Sequence, residues 1–339
     1  MRKRLELGVS PFPTGAASDL PASTHEAYED AIRDAARFVG HELLKLSDVR
    51  KAWFYFNMLG EPEPVRKFLE EKQPGPDEDV QPLIEIGLYH GAHPTRGFGL
   101  IVERYGICNA ITTFSGQDFT KNPLAKQECI GLLVRALHAQ LLERLHVDLE
   151  AKKIAVPKNA TILEIVTKHP ELFEEGAYHL DTSHLASITQ FSLEVEDPAV
   201  RKLARELCEY GKRLSTTLNY PGDPPFENTY ADYLVLLTLL DGEQVEEGLQ
   251  HFRAKVEPEA AQGNTFPAEV YVNILLKLNR PAEALAAAKQ YLANETRPLS
   301  CPSVYELCQR ANDFAGLASV AQQRGDGVSF LASLIADKK

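Results

Sequence analysis

The sequence lacks long hydrophobic runs. No apolar stretch of about 7–15 residues follows the basic residues of the opening MRKRLELGVSPFPTG, which argues against a signal peptide. No window of about 18 apolar residues occurs anywhere in the 339-residue chain, which argues against a membrane span. We therefore expect a cytoplasmic protein that does not bind a membrane.

Positive charge is also scarce. Lys and Arg together number 36 against 48 Asp and Glu, so the formal net charge is −12 at pH 7. A protein with a field of this sign repels the phosphate backbone of nucleic acids. The composition therefore argues against a nucleic-acid partner.

Signatures of several catalytic classes are missing. The five cysteines form no C-x-x-C pair, and their odd number favours reduced thiols in a core over a disulfide framework. The stretch RGFGL at 96–100 lacks the third glycine and the Lys-Ser/Thr pair of phosphate-binding loops. No G-x-S-x-G nucleophile elbow occurs either. These absences exclude the common nucleotide-binding and acyl-transfer signatures.

Helical periodicity is the dominant hydrophobic pattern of the sequence. From His25 onward, apolar residues recur at three- and four-residue intervals, and convincing β alternation is missing. Residues 9–24 instead combine three prolines with small polar residues, which is typical of an extended arm. Proline-bearing turns near 73–82 and 220–225 suggest domain limits. In chain order, the predicted segments are an arm over 1–24, a helical hairpin over 25–75, an all-helical centre over 76–222 and helical repeats over 223–339.

One segment near the N-terminus resembles a tetratricopeptide repeat. Within AARFVGHELLKLSDVRKAWFYFNMLGEPEP, Ala36 departs from that family, which favours an aromatic residue there. Gly40 and Ala52 stand where two antiparallel helices would approach most closely, so a larger side chain would force the helices apart. The residues that match the signature positions of the family are Val39, Gly40, Leu43, Ala52, Phe56, Leu59 and Pro64.

The C-terminal third repeats this pattern less closely. Gly248, Ala284 and Leu317 take equivalent places, 36 and 33 residues apart, which brackets the family's period of about 34 residues. The resemblance covers residues 33–66 and 230–335 and leaves the centre unmatched. It implies an all-α fold whose helical hairpins stack as an α-solenoid, with a non-repeat helical central region. By analogy, it also implies a protein- or peptide-binding module.

Polar residues of the central region favour a second hypothesis. The stretches EIGLYHGAHPTRG and YHLDTSHLAS place imidazole and carboxylate groups three residues apart, which is ligand chemistry for zinc or iron. Such a site would serve an all-helical hydrolytic or oxidative metalloenzyme. The candidate metal ligands are His90, His93, His138, His179, Asp181 and His184, and the candidate catalytic residues are Glu103, Tyr105 and Tyr178.

These residues also have structural interpretations. Asp181 or Thr182 suits the N-cap of the helix that follows. His93 precedes a proline, which is typical of a corner between helices. His138 suits a satisfied core position, and His146 suits a solvated face. The binding-module hypothesis explains more of the chain, whereas the metalloenzyme hypothesis explains the clustering of histidines, and the convergence of these histidines in space would distinguish the two.

Overall fold

A computed structural model describes residues 1–12 and 20–336, which form helices and connecting turns without any β-strand. The all-α prediction is confirmed. The chain divides into two compact units, Met1–Leu133 and Val134–Lys339. Within the described ranges, no helix combines the length and the apolar character needed to cross a membrane.

The first unit consists of helices joined by brief turns. α6 is interrupted at Gly106, which has φ 78° and ψ 175°. The helices of this unit are α1 Arg2–Glu6, α2 Ala22–Lys45, α3 Val49–Leu59, α4 Glu63–Glu71, α5 Gln81–Ile84, α6 Pro94–Gly116 and α7 Pro123–Ala151, the last of which continues into the second unit.

The hairpin of α2 and α3 has the close approach expected from its small residues. The Asp48 side chain caps α3 by accepting a hydrogen bond from the Lys51 N–H at 3.2 Å, and Gly60 ends the helix with a left-handed φ of 72°. Phe56 is fully buried, and a Cβ added to Gly40 would lie 2.7 Å from its ring. The interpretation of Gly40 as a contact point between two helices is therefore confirmed.

A π-helical turn, Glu85–Tyr89, follows α5 directly. Its widened hydrogen bond joins the His90 N–H to the Glu85 carbonyl at 2.9 Å. A Cβ added to Gly87 would lie 3.2 Å from the Gly97 Cα in α6. The turn therefore packs backbone against backbone on the start of α6.

The extended arm predicted over 1–24 differs from the structure at both ends. Residues Arg2–Glu6 form α1, in which the Arg2 Nε and the Glu6 Oε1 are 3.2 Å apart. The Arg4 guanidinium lies over the Tyr28 ring, 5.2 Å from its centroid. These contacts support a short helix where proline content alone predicted none. At the other end α2 begins at Ala22, and the part of the predicted arm at 13–19 lies outside the described residues.

The second unit begins within α7. Consecutive helices from α10 onward pack against each other as neighbouring pairs. Two 3₁₀ turns, Pro170–Gly176 and Thr216–Leu218, lie among the longer helices. The helices are α8 Ile162–Lys168, α9 Thr182–Ser192, α10 Pro198–Gly211, α11 Thr229–Leu240, α12 Val245–Ala260, α13 Phe266–Lys277, α14 Pro281–Tyr291, α15 Val304–Arg310, α16 Phe314–Arg324 and α17 Gly327–Ala336.

Small residues again mark the closest approach of paired helices in this unit. A Cβ added to Gly248 in α12 would lie 2.8 Å from the Cδ2 and 3.0 Å from the Cβ of Leu239 in α11. Ala284 in α14 and Leu317 in α16 are both buried. All three positions that the sequence singled out therefore face a packed interior.

The predicted domain limits at residues 75 and 222 do not coincide with the division between the two units. That division lies inside α7, a helix of 29 residues. A proline-bearing turn ends a helix locally, but it does not by itself reduce the packing around it.

Candidate binding groove

Two adjoining cavities lie along α10, α11 and α12 in the second unit. Their volumes are about 600 and 460 Å³. They share Arg205, Glu209, Leu234 and Glu243 and so form one elongated groove, which we call the α10–α12 groove. Each volume falls in the range of sites that take a small molecule or side chains of a peptide.

Helical spacing explains why these side chains line the groove. On α10, Lys202 and Arg205 lie on the exposed side, while Ala204 and Leu207 are buried. On α12, the lining residues Glu247 and His251 are four apart, so they share one face. Neighbouring helices thus turn polar stripes towards the same groove.

Ion pairs hold part of the groove wall. The Arg205 guanidinium binds both carboxylate oxygens of Glu243, at 2.8 and 2.9 Å. This hydrogen bonding holds the pKa of Glu243 below its usual range. Arg201 forms a second pair with Asp241, and both of these side chains are largely buried. The paired charges therefore shape the wall and leave little of their own charge for a ligand.

Two other charged side chains of the groove are unpaired. Lys202 lines the first cavity and Glu247 lines the second, and both are exposed. Neither side chain has a hydrogen bond or an ion pair with another described residue. The α10–α12 groove therefore offers one free cation and one free anion.

A buried carboxylate supports the second cavity from behind. Asp232 in α11 is 1% exposed, and its Oδ1 lies 2.7 Å from the His251 Nε2 and 2.7 Å from the Lys255 Nζ. Its Oδ2 accepts the Asn228 N–H at 2.8 Å. These bonds fix the His251 ring, which lines the groove and is about one-third exposed. The ring is thus held in one orientation by a satisfied, buried partner.

Sequence analysis missed the Asp232 and His251 pair. One signal was available, because Asp232 interrupts the otherwise apolar stretch YADYLVLLTLL, and a buried charge requires a partner. The identity of that partner depends on how α12 packs on α11, which the sequence does not state.

In the first unit, the predicted site residues make local contacts. The His90 Nε2 is 3.9 Å from the Glu85 Oε1, and its ring centroid is 6.4 Å from that of Trp53. The His93 Nδ1 accepts the Arg96 N–H at 3.4 Å and caps α6, which agrees with its interpretation as a corner residue.

The two catalytic candidates on α6 are also engaged nearby. Glu103 is paired with Arg96 at 3.4 Å. The Tyr105 hydroxyl accepts a hydrogen bond from the Gln81 side-chain amide at 2.8 Å. Glu103 and Tyr105 therefore have separate partners, a guanidinium and an amide, and these contacts support the positions of α6 and the preceding turn.

In the second unit, His138 and His179 occupy separate buried networks. The His138 Nε2 lies 2.9 Å from a Glu206 oxygen that also accepts the Ile162 N–H at 3.1 Å. The His179 Nε2 lies 3.2 Å from an Asp148 oxygen. Both contacts satisfy polar groups between packed helices, as expected for core histidines.

The remaining predicted residues surround the start of α9. The Asp181 carboxylate accepts the Ser183 and His184 N–H groups at 2.8 and 3.4 Å, which confirms its interpretation as an N-cap. Tyr178 is 57% exposed. Each side chain therefore has a local structural setting instead of a shared centre.

The predicted metal centre is not assembled. In residues 1–12 and 20–336, no group of three or more His, Cys, Asp or Glu side chains is placed to hold a metal ion. Spacing of three residues put Asp181 and His184 on one turn, but capping draws the Asp181 carboxylate to backbone N–H groups. Capping likewise turns the His93 ring towards its own helix.

Comparisons of the chain with protein-family models, with curated proteins and with solved structures found no match. The α10–α12 groove combines volume, fixed walls and unpaired charge.

Proposed function

We propose that this protein is a binding module that takes an extended peptide segment of a partner protein in the α10–α12 groove. The observation that supports this proposal is that two cavities with shared lining residues join along three consecutive helices. An elongated groove of this kind suits a chain with successive side chains better than one compact ligand.

The unpaired charges of the groove indicate which charges the partner segment should carry. Arg201 and Arg205 are already paired, so Lys202 and Glu247 remain to meet charges of a ligand. We infer a segment that carries one acidic residue for Lys202 and one basic residue for Glu247. Leu234, which lines both cavities, provides an apolar surface for a small side chain of the peptide.

The hairpins of the second unit support the same proposal. Consecutive pairing of α11 to α16 and the close approach at Gly248 are features that tetratricopeptide repeats also use. We propose that these hairpins stack in the same manner, so that the α10–α12 groove is part of a continuous surface of ordered side chains. The analogy concerns architecture, and the partner chemistry comes from the groove itself.

The test begins with selection of binders from a displayed library of random peptides, using the full chain. Selected peptides should carry an acidic and a basic residue at a fixed separation. In fluorescence anisotropy, Lys202→Glu should weaken the best peptide about tenfold, because one charge-assisted contact becomes repulsive. Replacing the acidic residue of the peptide by lysine should restore its binding to that variant.

Arg253→Glu supplies the matched control. Arg253 is an exposed cation on α12, two positions beyond His251, and therefore points away from the groove. Its replacement changes the net charge by the same amount and should leave the affinity unchanged. Equal loss in both variants, or none in Lys202→Glu, would contradict the proposal.

A further inference from the structure

α17 has an unusual composition for a helix at the protein surface. Its ten residues, GVSFLASLIA, include no charged side chain. The helix packs against α16 and buries Ser333, whose hydroxyl donates a hydrogen bond to the Phe330 carbonyl at 2.6 Å. The opposite side is also apolar, yet it is exposed. Surface helices normally turn polar residues towards water, whereas a helix that is apolar on both sides is normally buried.

The exposed side of α17 carries one apolar stripe, formed by Val328, Leu331, Ala332 and Ile335, which we call the α17 stripe. Val328, Leu331 and Ile335 are 81%, 62% and 65% exposed. The spacing of three, four and seven residues places all four side chains on the same face. At about 30 Å² for each methyl or methylene group, the stripe exposes roughly 250 Å² of aliphatic surface. Continuous apolar patches of this order often mark an interaction site.

The sequence around the stripe is also poor in charge. Within residues 314–336, which include α16 and α17, the charged residues are Arg324 and Asp326. The Arg324 guanidinium donates to the Glu295 carbonyl at 2.9 Å, and the Asp326 carboxylate accepts the Ser329 N–H at 3.0 Å. Both charges are therefore engaged within the chain. Depletion of charge is typical of the core of a protein–protein interface.

The order of residues in the α17 stripe makes it complementary to itself. In an antiparallel pair of identical helices, a twofold axis between Leu331 and Ala332 brings Leu331 of one copy opposite Ala332 of the other, and this contact occurs twice. The same axis brings Val328 opposite Ile335. Each large side chain at the centre thus meets a small one, which permits a close approach of the two helices. The antiparallel arrangement also brings the helix dipoles into favourable opposition.

We infer that the α17 stripe is a surface through which two copies of this protein pair antiparallel about a twofold axis. No residue of the stripe lines either cavity of the α10–α12 groove, so the pairing does not depend on the function proposed there. A lipid surface suits the stripe less well. Helices that lie in a membrane interface carry Lys and Arg on their polar face, and α17 has neither.

The size of the stripe and the charge of the chain determine how strong this pairing is. Two copies together bury roughly 500 Å² of aliphatic surface, well below the total of about 1,600 Å² in a standard stable interface. We therefore expect a weak dimer with a dissociation constant of about 10 μM to 1 mM. Each copy has a formal net charge of −12, and salt screens the repulsion between copies. Association should therefore become tighter as the salt concentration rises.

Sedimentation equilibrium of the full chain, from about 1 μM to 1 mM, tests the pairing. Leu331→Glu and Ile335→Glu should each weaken the dimer at least about tenfold, because each brings a charge into an apolar contact. Val147→Glu is the matched control, since Val147 is an aliphatic residue of α7 that is 60% exposed. It changes the net charge by the same amount and should leave the association unchanged. Circular dichroism checks that each variant keeps its helices.

Disulfide trapping tests the orientation of the two helices. Cys108 is first replaced by serine, because it is exposed while the other four native cysteines are buried. A mixture of Val328→Cys and Ile335→Cys copies should form the mixed dimer when oxidised by copper phenanthroline. Val328→Cys alone should cross-link much more slowly, because two copies of this position lie about 10 Å apart along the helix axis.

Three results would overturn the proposal. The first is a monomer at every concentration up to about 1 mM, or equal weakening by Ile335→Glu and Val147→Glu. The second is faster cross-linking of Val328→Cys with itself than with Ile335→Cys, which would show a parallel pair. The third is a chain that stays monomeric but sediments with phosphatidylcholine vesicles unless Ile335→Glu is present, which would assign the stripe to a membrane.

Discussion

Replacing Gly40 by alanine should destabilise the hairpin of α2 and α3, although alanine is the better helix former. Alanine in a helix interior gains about 0.5–1 kcal/mol over glycine. Here, however, the new Cβ would lie 2.7, 2.9 and 3.2 Å from three carbons of the Phe56 ring. Phe56 is fully buried and cannot swing away, and overpacking of this kind costs about 1–3 kcal/mol. The expected net loss is about 1 kcal/mol.

Trp53 provides the assay, because it is the only tryptophan of the chain and lies on α3. Urea unfolding followed by its fluorescence reports on this hairpin. Gly40→Ala should lower the midpoint without changing the slope of the transition. An unchanged or raised midpoint would refute the reasoning, since helix propensity would then outweigh the contact.

Two further variants distinguish contact from propensity. Gly99→Ala in α6 places its Cβ 3.7 Å from the Leu132 Cδ1, an ordinary contact, so it should raise stability by about 0.5–1 kcal/mol. Phe56→Leu should cost less in the Gly40→Ala background than in the wild type, because it removes the clash. A coupling of about 0.5 kcal/mol or more would confirm that the two positions interact, and simple additivity would contradict it.

Two buried hydrogen-bond networks give further predictions. Glu269 is 1% exposed; burial opposes its ionisation, but bonds from Ser300 at 2.6 and 2.8 Å and from Arg297 hold its pKa below the usual range. The ionised Glu269 side chain therefore stabilises the fold above the unfolded pKa of about 4.3, and this stabilisation is lost on acidification. In thermal melts, Glu269→Gln should lower the free energy of unfolding by about 2 kcal/mol at neutral pH and by less at acid pH. If the difference in stability between the wild type and Glu269→Gln were the same at acid and neutral pH, this prediction would be wrong. Tyr210→Phe removes the hydroxyl that accepts the His179 N–H at 2.7 Å, and it should cost about 2 kcal/mol in urea unfolding, whereas an unchanged midpoint would show that this N–H finds another acceptor.

The same hydroxyl illustrates the electrostatic character of the core. Tyr210 is fully buried, and burial raises the pKa of its hydroxyl to about 12. The group therefore stays neutral across the working range of the assay. Its loss in Tyr210→Phe changes a hydrogen bond and not a charge, which makes the measured difference simple to interpret.

The features that the sequence predicted well are those decided within a helix or between helices adjacent in sequence. Periodicity predicted the all-α fold, and the small residue Gly40 predicted a close contact. The cap at Asp181 was predicted because the N–H groups that donate to its carboxylate lie within three residues. All of these depend on short-range geometry.

The features that escaped prediction depend on segments distant in sequence. The α10–α12 groove requires three helices to present their polar stripes to one space. His146 was assigned to a solvated face because its neighbours are charged, whereas its Nε2 is buried without a hydrogen-bond partner among the described residues. Four of the six metal candidates, His90, His93, Asp181 and His184, had suitable spacing, but spacing fixes the turn on which a side chain lies and leaves its direction open.

The π-helical turn at Glu85–Tyr89 constrains the length of the chain at this point. Its hydrogen bond spans five residues where an α-helix spans four, so the segment contains one residue more than an α-turn needs. Deleting one residue would restore the α-helical ladder and rotate everything after it by about 100°. Gly87 would then no longer face Gly97. Selection should therefore act on the number of residues here as strongly as on their identity.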